Sequence, residues 1–174
     1  MSIPVDIPTL ATERLTLRAP AECDHAALAA FYASPRSRFV GGPLTAERAW
    51  RKLAEEAGHW TLRGYGRWIV ERDGEAVGLV GLWNPHGWPE AEIGWDLFEG
   101  HEGHGYATEA GAAARAHAYE TLGWTTAISL VAHGNDGSAR VAGRLGCARE
   151  ADTVHEVFGA MQVWRHPAPS EVVR

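Results

Sequence analysis

Along residues 91–98 apolar and polar side chains alternate. Ala91, Ile93, Trp95 and Leu97 fall on one side and Glu92, Gly94 and Asp96 on the other, the period of a strand. Beyond the turn that follows, Tyr106, Ala107, Ala110, Ala113, Ala114, Ala118 and Leu122 recur at helical spacing, and Gly123 sits at a C-terminal cap. Upstream, Leu15 and Leu17 predict a first strand stopped by Pro20. Asp24 is placed to cap a helix with Ala27, Leu28 and Phe31 inward, ending before Ser34-Pro35. A second helix is predicted from 45 to 58, with Ala49, Trp50, Leu53, Ala54 and Ala57 as its stripe. A hairpin follows over 68–83 around Asp73-Gly74, and Asn84-Pro85-His86-Gly87 breaks it. Downstream, 127–131 is an apolar strand, Asn135 or Asp136 caps a helix with Val141, Ala142 and Leu145 inward, and 147–154 with 161–164 forms a closing hairpin turning at Gly159. Trp95 and Trp164 are assigned to the core. The pattern is a single α/β domain over 1–174, with a mixed sheet of about seven strands, about four helices, an extended lead-in at 1–11 and a tail at 167–174.

Composition narrows the function. A chain of 174 residues can bury roughly 70% of its unfolded surface without metal or disulfide support. A formal net charge of −6 without a basic run argues against nucleic acid and is compatible with a cationic amine substrate. No stretch reaches 18 apolar residues and the start has no apolar leader, so no membrane association and a cytoplasmic location are expected. Cys23 and Cys147 lie far apart in no C-x-x-C motif and read as reduced thiols.

The chemistry concentrates in the turn Glu-Gly-His-Glu-Gly-His-Gly-Tyr-Ala-Thr-Glu at 99–109. Three glycines let backbone N–H groups converge, and the helix behind them adds the positive end of its dipole, which suits a phosphate. A Walker loop is excluded because no lysine is near. A dinucleotide fingerprint lacks its third glycine, since Thr108 stands there, and no acidic residue ends a strand about 20 residues on. The remaining pattern is Arg/Gln, two residues, Gly, one residue, Gly/Ala, which Gly105 and Ala107 meet and Glu102 does not.

The string Gly-His-Gly-Tyr-Ala-Thr-Glu-Ala at 103–110 resembles the loop and helix of the GCN5-related N-acetyltransferases (GNAT), in the branch that acetylates ribosomal protein N-termini. Asn135, Ser138 and the ending Arg144-Leu145-Gly146-Cys147 resemble that family's Asn-x-x-Ser helix, and Thr12-Glu13-Arg14-Leu15-Thr16-Leu17-Arg18 resembles the branch's first strand. The resemblance implies the GNAT fold with splayed fourth and fifth strands, and acetyl-CoA as co-substrate. It assigns the pyrophosphate to Gly103, His104, Gly105, Tyr106, Ala107 and Thr108. The pantetheine arm falls to the edge at Leu97 and Phe98 and to Asn135, a phosphate to Arg144, and protonation of the leaving thiolate to Ser138. An anion at Glu102 opposes pyrophosphate binding unless its side chain turns away.

Two carboxylates are candidates for the base: Glu92 in the fourth strand, and Glu156 near where the branch keeps a glutamate. His155 beside Glu156 has a suitable ordinary pKa. His101 and His104 have i, i+3 spacing without a third ligand, so no metal is expected. The acceptor is a protein N-terminal amine or a small-molecule amine, walled by 32–42 and the second helix through Tyr65, with Phe39, Trp50, Trp60, Trp83 and Trp88 as aromatic surface. An acyl-CoA-binding protein without turnover is the alternative, and a monomer or homodimer is expected.

Overall fold

The computed structural model describes residues 6–172; the first five residues of the expected lead-in and the last two of the expected tail lie outside the described residues. Nine strands form one sheet: β1 (Leu10–Ala11), β2 (Thr16–Arg18), β3 (Arg67–Arg72), β4 (Glu75–Trp83), β5 (Glu92–Leu97), β6 (Ile128–Ala132), β7 (Ala148–Arg149), β8 (Thr153–His155) and β9 (Gly159–Arg165), in the order β1-β2-β3-β4-β5-β6-β9-β7 with β8 also on β9. Four helices flank it: α1 (His25–Ala33), α2 (Ala46–Arg63), α3 (Tyr106–Glu120) and α4 (Asp136–Arg144). This is the α/β architecture expected, with two strands more. The short β1 pairs Leu10 with Leu17 inside the expected lead-in, and the strand expected over 147–154 breaks at 150–152 into β7 and β8.

Strand alternation builds two cores. Trp68 and Val70 of β3 and Val80 and Leu82 of β4 face α3, whose Ala110, Ala114 and Ala118 allow close approach to the sheet. Ile69 and Leu79 point the other way and meet Leu28, Phe31, Ala49 and Leu53 of α1 and α2. Each face is therefore dry, and the sheet is fixed in the middle of a three-layer stack. The β3–β4 hairpin turns at Asp73 and Gly74 with φ of 51° and 81°, the signature of a two-residue type I′ turn.

Two boundaries differ from the sequence expectation. Helix α2 runs through Gly58 to Arg63 and stops at Gly64, whose φ of 76° provides the left-handed cap. A mid-helix glycine costs about 1 kcal/mol, less than the burial of His59 and Trp60 in the next turn gives back. Asp24 precedes α1, but its carboxylate accepts from Ala21 N at 2.7 Å and from Arg18 rather than capping the helix.

Strands β5 and β6 run parallel and register at a single pair, Glu92 with Ile128, before diverging. The divergence opens the sheet beside the N-terminus of α3, and α4 flanks the opening. This split positions the site.

Candidate active site

A cavity of about 610 Å³ occupies the split between β5 and β6. The glycine turn contributes Glu102, Gly103 and Ala107, α4 contributes Asn135, Ser138, Arg140 and Arg144, and the far side carries Tyr32, Phe39, Lys52, Trp83, Trp88 and Phe158. Gly103 and Gly105 have φ of 78° and 82°, a conformation only glycine adopts without strain, and a Cβ at Gly103 would meet nothing within 4 Å. The turn therefore exposes main chain at Gly103, while at Gly105 the Arg14 guanidinium lies 3.4 Å from where a Cβ would stand. That is the shape a pyrophosphate cradle requires.

Arg14 braces the turn from outside. Its Nη1 donates to His104 O at 3.0 Å, and its guanidinium pairs with Glu109 at 2.7 Å while lying over the Tyr106 ring. Tyr106 is buried against the sheet, and its hydroxyl receives an N–H from Arg72.

Glu92 is 7% exposed and lines the cavity. Trp88 Nε1 donates to its Oε2 at 2.7 Å and Leu130 N to its Oε1 at 3.0 Å. Both donors are neutral. Burial outweighs them and pushes the carboxyl up to about 7.

Deeper on that far side, Arg67 bridges Asp96, at 2.8 Å, and Glu56. Burial pushes both carboxyls up, Arg67 pulls them back, and the guanidinium stays charged between two acids. Asn135 caps α4 by accepting from Ser138 N at 3.2 Å, and Ser138 Oγ accepts from Trp95 Nε1 at 3.3 Å.

A second polar chain stitches the base of the split. Ser129 donates to Ile93 O at 2.6 Å and accepts from His166 Nε2 at 2.9 Å, while His166 Nδ1 faces Arg115 at 3.4 Å. Burial and Arg115 drive the imidazole down to about 3, so it stays neutral. Ser129 thus ties β6 to β5 one residue from Glu92.

The family model for the acetyltransferase (GNAT) domain matches residues 14–148. The chain belongs to the GNAT acetyltransferases. It is similar to a solved acetyltransferase from Agrobacterium tumefaciens, with 39% identity over 96% of this chain and 98% of that one and a TM-score of 0.86. The GNAT fold is shared with Mycobacterium smegmatis RimJ in complex with CoA-disulfide, at 19% identity, 92% and 84% coverage and TM-score 0.74. It is shared also with RimL, a ribosomal L7/L12 alpha-N-protein acetyltransferase solved with coenzyme A, at 17% identity, 91% and 96% coverage and TM-score 0.71.

Within this GNAT chain, Glu92, Leu97, Gly103, Ala107, Asn135, Ser138 and Arg144 come together around one cavity. Other residues singled out in the sequence stand apart from it. Phe98 packs on Phe31 and its N–H is bound to Val77 O at 2.9 Å, His104 is exposed and stacks on Tyr106, and Thr108 Oγ1 is buried without a partner. Glu156 is exposed in the β8–β9 turn and does not line the cavity. Trp95, assigned to the core, also forms cavity wall, because β5 has lost its neighbour there. Of the expected aromatic surface, Trp60 is core and Trp50 binds Glu22 at the surface.

Sequence reasoning missed Arg36, Arg67, Asp96 and Ser129, all on the cavity wall. For Asp96 a signal existed: like Glu92, it sits on the polar side of a strand in an otherwise apolar sheet. Among the described residues no group of three or more His, Cys, Asp or Glu is arranged to hold a metal, and no helix is long and apolar enough to cross a membrane.

Proposed function

We propose that this GNAT chain transfers an acetyl group from acetyl-CoA to a primary amine, with Glu92 as general base. The observation that carries it is a buried carboxyl with a pKa of about 7, held in the same cavity as the open glycine turn. An amine attacks only when neutral, and a base with this pKa is half ionised at neutral pH, the condition under which general-base catalysis is most efficient.

Acetyl-CoA supplies an activated thioester. The main chain at 103–107 cradles its pyrophosphate, the edge of β5 that β6 leaves without a strand partner toward Leu97 and the Asn135 side chain hold its arm, and Arg144 neutralises a phosphate. Glu92 takes a proton from the acceptor amine while Trp88 and Leu130 keep its two oxygens oriented. Ser138, fixed by Trp95, offers its hydroxyl proton at the cofactor side of the same split.

The acceptor we favour is a protein N-terminal amine, with a small amine second. The open aromatic wall of Tyr32, Phe39, Trp83 and Trp88 supports a chain-like acceptor whose cationic end is drawn toward Glu56, Asp96 and Glu92. Calorimetry with acetyl-CoA, then thiol release over peptides and small amines, tests the reading. Binding with turnover on peptide N-termini is expected. Tight binding without turnover on any amine replaces it with an acyl-CoA-binding protein, and label from acetyl-CoA found only in small molecules reverses the acceptor order.

A further inference from the structure

Glu102 stands where the family pattern has Arg or Gln, and an isolated anion there opposes a pyrophosphate. It is not isolated. Arg36, from the 3₁₀ helix Pro35–Phe39, reaches across the cavity mouth and pairs with Glu102 through Nη1, while its Nη2 donates to Leu97 O at 3.1 Å. The helix is rigidly founded: Ser34 caps it by accepting from Arg36 N, and buried Ser37 donates to Tyr32 O at 3.0 Å or Ser34 O at 2.9 Å. A guanidinium has five N–H donors, and these two contacts use two. Nε is buried without an acceptor, so the donors left for a ligand are the remaining Nη hydrogens. Arg36, Glu102, Gly103 and Ala107 line the same cavity.

We propose that Arg36 is a cofactor-binding residue: Glu102 aims its guanidinium at the mouth of the glycine cradle, where it binds a phosphate of acetyl-CoA. The cation that the family pattern places within the loop is delivered here from the acceptor-side segment, with the loop residue as its anchor. The assignment rests on the acetyl-CoA reading above. Because the same segment carries Phe39 to the acceptor wall, filling the cradle also fixes one side of the acceptor site.

The test is calorimetry of acetyl-CoA with the full chain and four variants, at several salt concentrations, alongside melting temperatures of the unliganded proteins. Arg36→Ala is expected to raise Kd at least 10-fold and to flatten its salt dependence, and Arg36→Lys to recover part of that loss. Glu102→Gln is expected to weaken binding in the wild-type background, where it frees Arg36, but to strengthen it in the Arg36→Ala background, where it only removes an anion. That reversal of sign is what an anchoring role demands. If Glu102→Gln strengthens binding in both backgrounds, or Arg36→Ala leaves Kd within twofold, Arg36 merely neutralises Glu102 and the assignment is overturned alone. Wild-type protein that binds no acetyl-CoA overturns both this assignment and the reading beneath it.

Discussion

Two groups of buried carboxylates face the same cavity and differ in one respect. Glu56 and Asp96 share a guanidinium, whereas Glu92 has only an indole and a backbone amide. A charged partner stabilises the ionised form of the first pair. Neutral donors offset only part of the burial of Glu92, so its pKa rises to about 7; burial raises Glu56 and Asp96 as well, but there Arg67, itself held charged, pulls both back toward the ionised form. Proximity to the cavity does not separate these acids; the charge of their hydrogen-bond donors does.

Removing the compensating cation is expected to have the largest effect. Arg67→Met leaves Glu56 and Asp96 buried without a counter-ion, a change that costs roughly 3–5 kcal/mol. Urea unfolding at pH 7 should show that loss. Part of it should return as pH falls, since both acids then fold neutral. A loss under about 1 kcal/mol would mean that water reaches the triad and the contrast with Glu92 is false.

The uncompensated acid predicts a pH dependence of stability. Its folded pKa is raised by burial from the ordinary 4.5 to about 7, so the protonated form favours the folded state. The corresponding stability is full below about 4.5, declines as pH rises, and is gone above about 7. The shift corresponds to about 3 kcal/mol. Glu92→Gln should remove this slope, so the difference between the two unfolding-versus-pH curves is the measurement. Parallel curves would show that the carboxyl ionises normally.

The same substitution should lower kcat/KM about 100-fold, the low end for a general base, or about 2.7 kcal/mol. The acid limb of the rate profile near pH 7 should vanish with it. Retention of that limb in Glu92→Gln would assign it to the substrate amine or another group. Glu156→Gln should change the rate by less than twofold, because that side chain is exposed away from the cavity.

Most of the fold was legible because periodicity reports which face of an element is buried. The alternation of Ile93 and Trp95 with Glu92 and Asp96, and the alanine stripe of α3, predicted the strand-turn-helix that holds the cradle. The strand count was less legible. Leu10–Ala11 is too short to carry a period, and a break within a polar strand such as 147–154 leaves no apolar signature. Within the site, Glu92 and the α4 residues stood out by type and spacing. Arg36 and Arg67 did not, since an arginine signals its partner only when the fold brings residues 66 or 11 positions away against it. Trp95 packs on the core as expected and is cavity wall as well, because a strand that loses its neighbour turns core surface into wall.

Ser138 supplies the smallest effect expected from a residue that lines the cavity. Its N–H is spent on the Asn135 cap, but its hydroxyl remains a donor, because the Trp95 indole occupies only an acceptor position on Oγ. The hydroxyl therefore keeps a proton to donate, on a side chain that lines the cavity and is held by the Trp95 indole. Ser138→Ala keeps the backbone N–H and hence the cap, so the melting temperature should stay close to wild type, while the Trp95 indole loses its part-buried 3.3 Å acceptor. kcat should fall about 10-fold with acetyl-CoA affinity nearly unchanged, since a group acting only as the thiolate leaves contributes little to ground-state binding. Trp95→Phe should reproduce a fraction of that fall by releasing the rotor without removing the hydroxyl. Full kcat in Ser138→Ala with an unchanged melt would give the proton to water, and Trp95 would then matter only as the wall of the split.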